Sequence, residues 1–310
     1  MPTVNRYRNL ALFLGLAAAW GTAFTAIKAG LEYFPPVLFA AVRYDVAGVV
    51  MVAYAAWATG RWRPDTRAEW SVVAVSGAFM IAAYHAFLFV GQQYVTSAVA
   101  AIVVGLNPVL TTGFARALLP DERLTPVGIV GLLLGLLGVA VLVQPDPSNL
   151  LDPSGVGVVL VFAAVASFAL GSVLTRRSAA EPGIELQTGW SMLLGAFAMH
   201  AISLGIGEEF AAISWTPRGV AALAFLALVA SALGFLIYFD LLERLGPVEI
   251  NLVSYVAPLF AALTGLVLLG EPITVTTVVG FLAIVAGFAL VKRRAIAGEL
   301  DRVQERPTGD

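Results

Sequence analysis

The chain has 310 residues, of which 59% are hydrophobic and only 12% charged, with a net charge of −2 and no cysteine. A soluble domain carries roughly twice that charged fraction, so the composition excludes an ordinary soluble fold and points to an all-α polytopic membrane protein. The missing cysteines exclude disulfides, thiol catalysis and thiolate metal sites.

Apolar runs of about 20 residues, the length a bilayer demands, predict ten transmembrane helices. They cover 9–29, 35–58, 70–90, 96–119, 125–143, 155–175, 187–206, 217–241, 247–269 and 273–291. The first run follows Arg6 and Arg8 and is too long for the apolar core of a leader, so it is read as a span. It carries Trp20, Thr22, Phe24, Thr25 and Lys28, with Trp20, Phe24 and Lys28 on one stripe at four-residue spacing. The second holds AAVRYDVAG, with Arg43 and Asp45. A charge near the bilayer centre costs about 2.5–3.5 kcal/mol, so both are functional candidates. A second reading stays open for Arg43, an anchor that reaches toward the outer interface and bonds neighbouring carbonyls.

The third run carries YHAFLF, placing Tyr84 and His85 near mid-membrane. His85 suits a polar substrate or a proton relay; a neutral imidazole held by one interhelical hydrogen bond is the alternative. The fourth run contains GLNPVLTTG, with Asn107 and Pro108, and the ninth YVAPLFAALTG, with Pro258 after Asn251, Ser254 and Tyr255. A proline inside a helix costs about 3 kcal/mol. Here each frees a carbonyl, that of Val104 or Ser254, which membrane protein tolerates only where protein or a wet cavity receives it. Pro108 and Pro258 are therefore read as hinges. Glu249 adds polarity to the entry of the ninth run, so the second half is expected to supply more substrate-directed polarity. Gly128, Gly131, Gly135 and Gly138 form a small-residue stripe for close helix packing on the fifth run. His200 and the pair Asp240 and Arg244, four residues apart, are read as structural.

The connections are short, and the basic residues sort by side. With the N-terminus cytoplasmic, fifteen of the eighteen Lys and Arg fall on the cytoplasmic side and only Lys28 and Arg218 outside, Arg43 lying within a span. That predicts a multi-pass plasma-membrane protein with both termini cytoplasmic.

The sequence also aligns with itself. Pro108 falls on Pro258 at an offset of 150; Glu122, Gly131 and Gly138 fall on Glu271, Gly280 and Gly287 at 149; WGTAFTAIK (20–28) lies over FALGSVLTR (168–176), bringing Lys28 onto Arg176. Two five-span repeats result, 9–144 and 155–292, with a cytoplasmic tail at 293–310. An odd span number inverts the second copy, and inverted repeats are a signature of secondary transporters. Metalloprotease, hydrolase and nucleotide-binding motifs are all missing, so no enzymatic activity, cofactor or ATP-driven engine is expected.

The WGTAFTAIK helix, the YVTSAVAAIVVGLNPVLTT stretch, the Glu-containing turns PDER and GEP and the glycine-rich helix after each together resemble the EamA family of the drug/metabolite transporter superfamily, over nearly the whole chain. The resemblance implies a ten-helix carrier with a central cavity lined mainly by helices 1, 3, 4, 6, 8 and 9. On that basis Trp20, Thr22, Thr25, Tyr84, His85, Asn107, Asn251, Ser254 and Tyr255 are the substrate-binding candidates. The expected function is export of small organic metabolites, amino acids or related compounds, by alternating access, with proton coupling open. The alternatives are a facilitative carrier, a drug or nucleobase exporter, and a non-transporting scaffold or sensor. The expected partners are the small-molecule substrate and the bilayer, with no nucleic acid; the sequence does not set an oligomeric state.

Overall fold

The computed structural model describes residues 2–119, 126–143, 152–178, 180–246 and 250–305, with side chains from 7 to 291 within those ranges. The expectations for Glu122, Glu249, most of the 144–154 linker, the basic residues beyond 291 and the end of the tail lie outside the described residues. What is described is helical throughout, with no strand among the described residues.

In chain order the helices are α1 (Pro2–Gly30), α2 (Pro36–Thr59), α3 (Arg67–Gln92), α4 (Ser97–Leu118), α5 (Pro126–Val143), α6 (Pro153–Thr175), α7 (Ile184–Gly205), α8 (Pro217–Leu245), α9 (Val253–Leu269) and α10 (Val275–Glu305). Six are long and apolar enough to cross a membrane: α2, α3, α4, α6, α8 and the Tyr7–Gly30 part of α1, at 22 to 29 residues. Val127–Leu142, Val253–Leu269 and Val275–Val291 are shorter apolar segments. Local chemistry sets the ends. Pro36 occupies the first turn of α2, where its missing N–H is harmless. Thr66, Thr96 and Thr216 cap α3, α4 and α8 by accepting from Glu69, Val99 and Gly219 N–H. Gly60, after α2, and Gly270, after α9, take the left-handed conformation at φ 70° and 69°.

One sequence expectation is corrected here. The fourth run is not a single helix strained by an internal proline. It breaks at Gly105–Leu106 into Ser97–Val104 and Asn107–Leu118, and Pro108 sits in the first turn of the second piece. There its missing donor would be an orphan in any case, so the cost foreseen for Pro108 does not arise. Pro258 does lie inside its helix, Val253–Thr264. The two broken places meet: a Cβ on Gly105 would stand 3.3 Å from the Ser254 carbonyl oxygen, the acceptor that Pro258 leaves without its helical donor.

A close helix contact joins α5 to α10. A Cβ on Gly131 would come within 2.6 Å of the Gly287 carbonyl, and one on Gly138 within 2.9 Å of the Gly280 carbonyl. Glycines thus let two backbones touch, and without water to drive apolar association such packing is what holds membrane helices together. The pairing is antiparallel, since 131 meets 287 while 138 meets 280. In the same way α2 runs antiparallel to α7: Gly48 faces Leu193, and Gly189 faces Val52.

Replacing Gly131 or Gly280 by leucine should destabilise the protein by about 1–3 kcal/mol each through overpacking. Gly15→Ala, with nothing within 4 Å of the added carbon, should stay within about 0.5 kcal/mol. Unfolding of the purified protein in detergent checks both.

Candidate functional site

The feature that organises the interior carries no residue signature in the sequence. In α3 the turns widen to π geometry over Ser76–Ala83, and in α8 over Phe225–Leu233. A π turn adds a residue to the turn and leaves carbonyls imperfectly met by the helix itself; such segments gather at functional sites. Side chains from other helices answer these carbonyls. Trp20 Nε1 on α1 donates to the Ala230 carbonyl at 3.0 Å, and Ser167 Oγ on α6 donates to the Phe79 carbonyl at 2.9 Å.

Beside these segments lies a buried polar and aromatic cluster. His85 Nδ1 bonds the Ile81 carbonyl at 2.8 Å, and its Nε2 lies 2.7 Å from the Tyr44 hydroxyl on α2. A carbonyl only accepts, so Nδ1 carries the proton and Nε2 of a neutral ring accepts from the tyrosine. Tyr84 stands edge-on to His85 at 4.5 Å and to Phe168 of α6 at 5.4 Å. Arg43 is 6% exposed. Its Nε donates to Ser231 Oγ in the π segment of α8 at 3.0 Å, and its guanidinium carbon lies 4.9 Å from the centre of the Tyr44 ring. Arg43 therefore bonds a hydroxyl across the bundle rather than the neighbouring carbonyls expected of an interfacial anchor. Asp45 turns away from it and meets His200 of α7 at 2.7 Å, a bond that fits the structural reading of His200. Arg244 pairs with Asp240 at 2.8 Å, as expected from their spacing.

The remaining candidates are spread more widely. Trp20 belongs to an aromatic group with Phe235 and Tyr238. Thr25, buried, shares a 2.7 Å hydrogen bond with Thr264 of α9, while Thr22 is half-buried. Asn107 accepts from Thr111 within its own helix. Asn251 is exposed at the turn before α9, and Ser254 is half-buried. Tyr255 packs on Phe288 at 4.5 Å with its buried hydroxyl unpartnered. The buried polar cluster around His85 is thus built from α2 and α3, with one hydroxyl from α8. Sequence reading singled out neither Tyr44 nor Ser231. Tyr44 sat unremarked in the AAVRYDVAG stretch quoted for its charges, and a lone serine in a small-residue run carries no signal.

One end of the bundle is held by charges. Lys28 Nζ donates to the carbonyls of Gln92, Gln93 and Val95 at 2.9 to 3.0 Å, capping the C-terminal end of α3. Glu271 Oε2 accepts the Ser97 N–H at 2.9 Å, at the N-terminus of α4. One charge of each sign therefore fastens the α3–α4 corner. Among the described residues there is no group of acidic and histidine side chains arranged to hold a metal.

Comparison with known proteins follows this geometry. The EamA-like transporter family matches residues 8–144 and 155–293. The chain is 27% identical over 300 residues to the uncharacterized transporter YvbV of Bacillus subtilis (strain 168), covering 96% of this chain and 95% of that one. It is 28% identical over 275 residues to the uncharacterized inner membrane transporter YedA of Escherichia coli (strain K12), covering 87% of each. A solved structure, described only as the crystal structure of a protein, superposes with a TM-score of 0.63 at 23% identity, over 94% of this chain and 99% of the other.

Trp20→Phe and Ser167→Ala each remove one donor to a π-segment carbonyl, and each should cost about 1 kcal/mol of stability. The two sites share no partner, so the double variant should show nearly the sum. Unfolding in detergent reads all three.

Proposed function

The chain belongs to the EamA-like transporter family, and from that premise we propose a secondary carrier that exports small organic metabolites, amino acids or related compounds, across the plasma membrane by alternating access. That it is a multi-pass membrane transporter rests on the family and on its apolar helices. Ten spans, the inverted repeat, the cytoplasmic termini and the direction of transport are the finer reading.

The observation that carries it is a set of contacts that occur in pairs. Adding 149 to Gly131 and Gly138 gives Gly280 and Gly287, so the contact of 131 with 287 and that of 138 with 280 become one contact seen twice about a twofold axis. The π segments of α3 and α8 lie 149 to 150 residues apart. Trp20 and Phe168, aligned at an offset of 148, each reach toward the helix that holds the other half's π segment. Two similar halves in inverted relation can exchange conformations, which turns a cavity open to one side into one open to the other.

The end held by Lys28 and Glu271 supports a closed side in this conformation. A facilitative, uncoupled carrier is the second reading. It is favoured by His85, both of whose ring nitrogens are already hydrogen-bonded within the protein.

Reconstituted protein should exchange labelled amino acids across proteoliposomes; no flux of any tested metabolite would leave a scaffold. An imposed pH gradient should change the flux of a coupled carrier and leave that of a facilitative one unaltered. Pro258→Ala should slow exchange more than it lowers the unfolding temperature, and Pro108→Ala should leave that temperature nearly unchanged. His85→Ala with normal exchange would remove His85 from the transport path.

A further inference from the structure

We propose that Arg43 is an anion-binding group, and that the substrate engages it through a carboxylate held by the two terminal nitrogens of the guanidinium. This rests on the carrier reading and narrows its substrate class to small organic acids, amino acids among them.

A buried ion is normally paired, because the cost of removing it from water runs to several kcal/mol. Arg43 is more than nine-tenths buried, and among the described residues no carboxylate lies within 4 Å of it. The acid two residues along the same helix, Asp45, is committed to His200. What Arg43 does have is one neutral hydroxyl on Nε and the face of the Tyr44 ring. A cation–π contact is worth about 2 kcal/mol when desolvated and leaves the charge without a counter-ion.

The remaining donors have a definite shape. Ser231 occupies Nε, so the end-on fork of Nη1 and Nη2 is left, the geometry that receives both oxygens of a carboxylate. These nitrogens have no hydrogen-bond partner among the described residues, yet neither is counted among the sealed unpartnered atoms, so the small accessible part of Arg43 includes them. The protein is arranged to leave them open. Ser231 lies in the π segment of α8, and Tyr44, which flanks the cation, is held by His85 just past the π segment of α3. Next to His85 stands Tyr84, and Phe168 packs against Tyr84; both are half-buried aromatic rings that suit the body of an organic acid.

The test uses the full chain in detergent, with L-amino acids and their primary amides as probes at millimolar concentration. The amide keeps the size and the ammonium of the amino acid and removes only the carboxylate's negative charge. At least one acid should raise the unfolding temperature while its amide does not, and R43Q should abolish the shift. R43K keeps the cation and loses the fork, and it should weaken acid binding about tenfold. S231A, which releases Nε, should weaken it to a lesser degree. If R43Q does not fold, R43K and S231A decide: acid binding equal to that of the unaltered protein in both would overturn the proposal. So would acids and amides that stabilise equally, or no acid that stabilises. Counterflow in proteoliposomes separates this from failure of the carrier reading. Exchange of amides or other compounds without a carboxylate, with no preference for acids, removes the anion site and leaves the transporter, whereas no exchange at all removes the carrier.

Discussion

In hydrocarbon no water stands ready to bond a backbone carbonyl or amide, so every polar group that a helix fails to satisfy must be met from within the protein. The interior of this chain is arranged around that constraint. The π turns of α3 and α8 loosen carbonyls, and Trp20, Ser167 and His85 take up those of Ala230, Phe79 and Ile81. Helix ends obey the same rule. Lys28 meets the last carbonyls of α3, Glu271 the first amide of α4, and Glu208 the Val37 and Leu38 amides at the start of α2, at 3.0 and 2.8 Å. Most of the scarce polar side chains are thus consumed in satisfying backbone. Arg43 stands out because its charge is left over when that is done.

The constraint also explains how the irregular parts of the helices are kept. A π segment or a break at Gly105 would be costly in lipid, and each is stabilised by a donor or a close packing partner on another helix. Irregular backbone that is bonded across helices couples their movements, because one helix cannot shift without releasing the other. In the proposed mechanism this places the moving parts where α1 meets α8 and α6 meets α3. The α5–α10 contact sets backbone against backbone at four glycines.

Much of the fold was legible in the sequence because it rests on length and periodicity. The apolar runs located most helix ends to within a few residues, although α1 starts seven residues before its run, α9 six residues into its run, and α10 continues fourteen residues past its own. The glycine stripe on 128–138 named a face that meets α10. The site was less legible. A π turn has no residue signature, so neither Ser76–Ala83 nor Phe225–Leu233 was foreseen. Pro108 looked like a defect within a helix because its run is unbroken in hydropathy, although Gly105 two residues before Asn107 ends the preceding piece. The partnership of Asp45 with His200, 155 residues apart in the chain, needs the packing of α2 on α7 before it can be recognised. Ser231 becomes notable only once Arg43 is seen to reach it.

Everything proposed for function depends on the two halves entering the membrane from opposite sides. The lack of native cysteine allows a direct measurement: single cysteines introduced as Glu32→Cys, exposed after α1, and Arg177→Cys, exposed after α6, challenged in intact cells with a membrane-impermeant thiol reagent. The account predicts labelling of Glu32→Cys from outside, and of Arg177→Cys only after the membrane is opened. Labelling of both from the same side would contradict it.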